Sequence, residues 1–266
     1  MLIEALFLGQ DLDTSRKQTI VLIDVLRTSA TLVSMLEGGA RNVGVVSTPD
    51  EARAIRERLG SCFLCGETGG SRPSDFDFGN SPREYSGLDL KGKQLVFTSS
   101  NGAKAMARLV GEGNRVFIGS YPNADAVVRT ALADAGARSA DLTIVASGRN
   151  MGTRYGIDDC HCAGFLVDTL VRQLGSEARW REEPPRDDPH RLSYRLVVED
   201  SALLALQLYH HLGNDFDRVA LLSTDAQTLI GLGGAPDFPD AFRINSSNMV
   251  PEVTRSGEGY LVVNPV

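Results

Sequence analysis

Thr19-Ile20-Val21-Leu22-Ile23-Asp24-Val25 is a β-branched, apolar run interrupted near its end by a carboxylate, and Leu26-Arg27-Thr28-Ser29 follows it directly. The run reads as a buried strand. The hydroxyls of Thr28 and Ser29 offer helix N-cap chemistry, Thr31 to Leu36 carry apolar residues at helical spacing, and Gly38-Gly39 stops the helix. The unit is strand, polar turn, helix.

The same unit recurs along the chain. Gln94 to Phe97 empties into Thr98-Ser99-Ser100-Asn101-Gly102 before a helix from Ala103, Arg115 to Ile118 into Gly119-Ser120, and Leu142 to Ala146 into Ser147-Gly148. Strands alternating with helical patterns predict an α/β protein with a largely parallel sheet covered on both faces, its polar turns meeting at the carboxyl ends of the strands. Ser201 to His211 and Thr224 to Leu232 read as further helices, and Gly259 to Val263 as a last strand. The charged, proline-rich stretch at about 176–194 reads as an exposed loop. One compact unit over residues 1–266 is expected, and the recurring grammar allows two similar lobes, about 1–140 and 141–266.

With 266 residues, 42% of them apolar, the chain can bury a full core without disulfide or metal staples. Its 34 acidic and 27 basic residues give a net charge of −7 and no basic stripe, which argues against nucleic-acid binding. MLIEALFLGQ lacks the features of a signal peptide and no apolar run is long enough to span a bilayer, so a cytoplasmic, membrane-free protein with reduced cysteines is expected.

Several turns could carry chemistry. Asp24 ends an apolar strand, where a charge is costly unless it meets a cation, and an ion pair with Arg27 is the plain structural alternative. Leu26 occupies the position where a haloacid-dehalogenase-type mechanism needs a second aspartate. Gly66-Glu67-Thr68-Gly69-Gly70 places one acid among glycines that let backbone approach an anion, although glycine clusters are also ordinary turns. Asp75 to Pro82 carries Asp77 and Asn80, hard oxygen donors suited to Mg²⁺ and equally at home in an Asx turn. Ser99, Ser100, Asn101 and Gly102 offer hydroxyls and helix N-terminal amides to an anion, with Lys104 beyond them, in a spacing that is not a Walker A loop. Asp158 and Asp159 open a helix, where the macrodipole alone could account for one of them. Cys62-x-x-Cys65 with Cys160-His161-Cys162 raises a zinc or redox site, but residues three apart on a strand face opposite ways, and buried thiols are the simpler reading. Of the four histidines only His161 lies near a candidate site, so a metal held by carboxylates is expected instead.

Taken as an ordered set, IDVLRTSAT, GETGG, FDFGNSPREY, FTSSNGAKA, IGSYPNA and IDDCHCAG resemble the 2-phosphosulfolactate phosphatase (ComB) family, strongly from about Val21 to Leu170 and more weakly from Ser223 to Val253. The resemblance implies a three-layer α/β/α fold with a mixed sheet, a Mg²⁺ requirement, and hydrolysis of (R)-2-phospho-3-sulfolactate in coenzyme M biosynthesis. Carried over by motif, it implies a site built from Asp24, Arg27, Glu67, Asp77, Asn80, Ser99, Asn101, Gly102, Ser120, Asn123 and Asp159. The expected roles are catalysis by Asp24, Arg27, Glu67 and Asp159, metal binding by Asp24, Glu67, Asp77 and Asp159, and substrate binding by Arg27 and the Asn80, Ser99–Gly102, Ser120 and Asn123 groups.

The expected partner is a small anionic phosphate ester, and a homodimer is allowed. Alternatives are another phosphorylated hydroxy acid as substrate, non-catalytic binding of anionic metabolites, or the cysteine-based function. Thr68 stands where the resemblance expects arginine, Asp158 where it expects glutamate, and Thr98 to Ala103 departs from its usual Thr-Thr-Thr-Asn-Gly-Thr. One lost charge-assisted partner removes about 1.5–3 kcal/mol of binding. Phosphatase chemistry is therefore a firmer expectation than the sulfonated substrate.

Overall fold

Val21 and Ile23 point to one face of their strand and Ile20 and Leu22 to the other, and both sets are buried in separate hydrophobic clusters. The computed structural model describes residues 1–13, 15–111, 113–175 and 197–266. The strand is Gln18–Ile23, so Asp24 and Val25 lie just beyond its end. The expected loop at about 176–194 lies outside the described residues.

Ten strands form one sheet: β1 (Leu2–Leu6), β2 (Gln18–Ile23), β3 (Val43–Val46), β4 (Phe63–Gly66), β5 (Leu95–Thr98), β6 (Arg115–Gly119), β7 (Asp141–Ala146), β8 (Val197–Val198), β9 (Pro251–Arg255) and β10 (Leu261–Pro265). Ten helices are described: α1 (Thr28–Glu37), α2 (Pro49–Leu59), α3 (Pro82–Tyr85), α4 (Gly102–Leu109), α5 (Ala124–Arg138), α6 (Ile157–Leu174), α7 (Asp200–Leu212), α8 (Phe216–Leu222), α9 (Thr224–Gly231) and α10 (Phe238–Ala241). The order in the sheet is β4-β5-β3-β10-β9-β6-β2-β7-β1-β8.

Two parallel blocks, β4-β5-β3 and β6-β2-β7-β1-β8, flank the C-terminal hairpin β9-β10, which pairs antiparallel with β6 on one side and β3 on the other. Three antiparallel pairings in succession make the two blocks run in opposite directions. The strand-turn-helix grammar predicts only the parallel part. Strands from both sides of residue 140 interleave, since β7 lies between β2 and β1 while β9 and β10 lie between β6 and β3.

The helices complete a three-layer α/β/α arrangement. Val127 of α5, Leu166 of α6 and Leu206 of α7 pack on the Val21–Ile23 face. Leu32 and Met35 of α1 and Met106 of α4 pack on the other, in a cluster that includes Ile20 and Leu22 from one block and Val43 and Phe97 from the other. The segments that follow β2 and β5 meet, with the Thr28 and Ser99 hydroxyls 3.2 Å apart. Among the described residues no helix is long and apolar enough to cross a membrane.

Candidate active site

Beyond β2 the chain turns tightly: the Asp24 N–H donates to the Ser29 hydroxyl at 3.0 Å and the Ser29 N–H to the Asp24 carbonyl at 2.9 Å. The N-cap chemistry expected of Thr28 and Ser29 is therefore spent elsewhere, and Arg27 caps α1 without a side-chain bond. Thr28 reaches across to the second block, its hydroxyl 3.2 Å from that of Ser99. Asp24 is buried against Gly102, where a Cβ would come within 2.5 Å of its Oδ2. Burial first, and then the charges of Glu67 and Asp158, push the Asp24 carboxyl up to about 6 despite hydrogen bonds from Thr28.

Glu67 is fixed by the loop it faces. Its Oε1 accepts from the Ser100 N–H at 2.6 Å, and its Oε2 accepts from the Gly70 N–H at 2.6 Å and the Ser100 hydroxyl at 3.0 Å. This requires the end of β4 to lie on Thr98, and only glycine permits it: Gly66 has φ +118° and a Cβ there would sit 1.9 Å from the Thr98 carbonyl oxygen.

Asp159 ties two strand ends together, accepting from the Val25 N–H at 2.9 Å, the Ser147 hydroxyl at 3.2 Å and the Gly148 N–H at 3.4 Å. Asp158 accepts from the Ser223 hydroxyl at 2.8 Å. Ser223 in turn caps α9 by accepting from the Ala226 N–H. Burial raises both aspartates, and the neighbouring charges of Asp158 and Asp24 raise Asp159 further.

These loops enclose a cavity of about 350 Å³. Asp24, Arg27, Glu67, Asn80, Ser100 and Asn101 line it, as do Lys104, Asn150, Met151, Asp225, Thr228 and Leu229. Asn80 is 4% exposed, its Nδ2 is 3.5 Å from the Thr28 hydroxyl, and its buried Oδ1 has no hydrogen-bond partner among the described residues. Asn101 accepts from the Met151 N–H at 3.1 Å, which holds the 150–151 turn over the cavity. Ser99 and Gly102 stand behind the lining, Ser99 accepting from the Ala103 N–H at 2.9 Å.

Other expected site residues are employed differently. Arg27 pairs with Asp237 at 2.7 Å, not with Asp24, and donates to the Gly70 carbonyl at 3.1 Å. Asp77 is turned away from the cavity, accepting from the Leu64 N–H at 2.8 Å with Arg56 3.5 Å away. Ser120 and Asn123 are fully buried, and the Ser120 N–H donates to the Asn123 side chain at 2.9 Å. The Asn123 amide donates to the carbonyls of Ile118 at 3.0 Å and Met249 at 2.9 Å, so it ties β6 to the C-terminal segment.

Among the described residues no group of three or more His, Cys, Asp or Glu side chains is placed to hold a metal ion, so Asp24, Glu67, Asp77 and Asp159 do not form a preassembled four-carboxylate shell. The same fact removes the Cys/His zinc arrangement. The four thiols are free, and burial pushes Cys65 up to about 12. His161 is a core residue between the Tyr121 hydroxyl at 2.6 Å and the Gly213 carbonyl at 3.0 Å, and burial lowers it to about 4.

Sequence reasoning missed Asp225, which pairs with Arg149 at 3.2 Å and is pushed up to about 7 by burial and then by the charge of Asp158. An acid in the first turn of a capped helix satisfies the macrodipole, so nothing local marked it.

Buried carboxylates and the amino end of α4 share one cavity of an α/β fold with a mixed sheet, the architecture and kind of cleft in which α/β enzymes bind their ligands. The family model for 2-phosphosulpholactate phosphatase matches residues 8–256. A probable 2-phosphosulfolactate phosphatase of Carboxydothermus hydrogenoformans is 29% identical over 99% of this chain and 97% of its own length. Proteins of the same description from Deinococcus radiodurans and Prochlorococcus marinus are 32% and 30% identical, covering 90% and 89% of this chain and 89% of each relative. The chain belongs to the 2-phosphosulfolactate phosphatase family, which is a family of phosphoric monoester hydrolases.

Proposed function

We propose that this chain hydrolyses (R)-2-phospho-3-sulfolactate to 3-sulfolactate and phosphate in a Mg²⁺-dependent reaction, as a cytoplasmic step of coenzyme M biosynthesis. The observation that supports the reading best is Asp24, a buried carboxylate at a strand end whose acidic neighbours raise it and which has no ion pair among the described residues. A buried charge without a partner is costly, and a bound cation removes that cost.

Asp24 and Glu67 fit such an ion. Mg²⁺ in phosphoryl-transfer sites typically takes one or two carboxylates and completes its octahedron with water and substrate phosphate, so a three-residue cluster is not required. When bound, the ion neutralises charge on the phosphoryl oxygens. Asp159 is not among the groups lining the cavity, and its backbone and serine donors make it a tie between the Val25 and Ser147–Gly148 turns.

The remaining work falls to the chain's own groups. Ser100 and Asn101 stand at the amino end of α4, where main-chain N–H groups and the helix dipole favour phosphoryl oxygens. Glu67 fixes Ser100 in place before substrate arrives. The free Oδ1 of Asn80 can accept from a water or from substrate within the cavity. Arg27, already neutralised by Asp237, orients the Gly70 loop.

Hydrolysis breaks the phosphorus–oxygen ester bond and forms a new one either to water or first to a carboxylate oxygen. Rapid quenching with labelled substrate separates the routes, since only the second leaves a phosphorylated protein. The decisive experiment is turnover of phosphosulfolactate, phospholactate and phosphoglycerate with Mg²⁺ and with EDTA. Phosphosulfolactate should be the best substrate and EDTA should abolish turnover. Binding without turnover, or turnover that EDTA leaves intact, would overturn the proposal.

A further inference from the structure

We propose that Lys104 binds the acidic group that the substrate carries beside its phosphate, and so sets a preference for phosphorylated hydroxy acids over phosphate esters of uncharged alcohols; this rests on the phosphatase reading above. Arg27 and Lys104 are the basic residues among the cavity's lining groups, and Arg27 is engaged by Asp237 and the Gly70 carbonyl. Arg149, nearby, is held by Asp225. Lys104 is half-buried and makes no hydrogen bond or ion pair with any described residue.

Its position is unfavourable for a structural lysine. It lies in the first turn of α4, where the helix dipole is positive and an acid would be preferred. No acid occupies that turn to offset it. An ammonium placed there without a partner among the described residues makes a subsite for an anion on the cavity wall, while the buried Asn80 Oδ1, likewise without a partner among those residues, is left to accept from a bound water or a substrate donor. The carboxylates Asp24 and Glu67, which would hold the ion, belong to the same lining as Lys104, a cavity of about 350 Å³. A phosphorylated hydroxy acid has its two anionic groups separated by only one or two carbons, so both can be held within one such cavity.

The test compares wild type, Lys104→Met and Lys104→Arg on 2-phospholactate and glycerol 2-phosphate under steady-state conditions with Mg²⁺. Lys104→Met should lose at least tenfold more kcat/KM on 2-phospholactate than on glycerol 2-phosphate. The loss should appear mainly in KM, and Lys104→Arg should restore most of it. Equal losses on the two esters, or no loss, would overturn the assignment, and matching thermal melts exclude misfolding as the cause. Wild type that hydrolyses neither ester refutes the phosphatase reading separately. Lys104 is then judged by calorimetry with 3-sulfolactate: tenfold weaker binding by Lys104→Met supports it, and unchanged or absent wild-type binding sinks it.

Discussion

The central strand β2 has a buried aspartate at each end, and the two are treated in opposite ways. At its start the Thr19 hydroxyl donates to Asp134 at 2.6 Å, while Arg115 and Arg138 approach the same carboxylate at 2.8 Å and 3.2 Å. Burial alone would raise Asp134, but these three partners outweigh it and hold the carboxyl below its ordinary value. At the other end Asp24 is as little exposed to solvent but more deeply enclosed by protein, its neighbours are Glu67 and Asp158, and its carboxyl is pushed up to about 6. One acid is saturated with donors and serves cohesion. The other is left in deficit, and a deficit of positive charge at a cavity wall is what a cationic ligand can fill.

Asp24→Asn should break this contrast most sharply. The proposed role, holding the ion beside the reacting group, predicts that turnover falls by about 10³-fold or more. Stability should move the other way. Because the carboxyl is raised in the fold, it penalises the native state increasingly as pH rises from its ordinary value through about 6, and the amide removes that penalty. Melting curves without metal should therefore favour the variant above pH 6 and converge near pH 4, with a gain on the order of 3 kcal/mol at the alkaline end. A variant less stable than wild type at pH 8 would refute the deficit.

Glu67→Gln should cost about 10²-fold in kcat, because Ser100 and Gly70 lose their charged acceptor as well as any metal contact. Asp134→Asn is the converse of Asp24→Asn. It should leave turnover within threefold while destabilising the fold by about 2 kcal/mol, or about 4–8 °C in Tm for a domain of this size. Its native carboxyl is lowered, so its contribution is present above the unfolded value and is lost as pH falls through the folded one, and the difference should shrink in acid. The smallest effect is expected of Asp77→Asn, which lies off the cavity. Its kcat and Mg²⁺ dependence should stay within twofold of wild type, and a tenfold change in either would return Asp77 to the metal set.

Much of this was legible in local pattern. The apolar run of β2, the stop at Gly38-Gly39, the helices α4, α6, α7 and α9 and the acidic turn ends all follow from periodicity and turn chemistry. Six of the residues singled out, Asp24, Arg27, Glu67, Asn80, Ser100 and Asn101, line one cavity. The insertion of β9-β10 between β6 and β3, and the reversal it imposes, were not legible, because pairing between strands more than 100 residues apart leaves no trace in either partner's spacing.

The sequence by itself determined which residues carry charge or hydroxyls and that they stand at strand ends, since both are read from alternation and turn preference over a few residues. Only the tertiary structure decided which of them remain free. Asn123 and Asn80 are the same side chain after similar turns, yet Asn123 is consumed by Ile118 and Met249 while Asn80 keeps an unpartnered oxygen on the cavity wall. Arg27 likewise passes over Asp24, three residues away, for Asp237. A buried polar group bonds to whatever partner the packing brings within about 3 Å, and that choice is made in three dimensions.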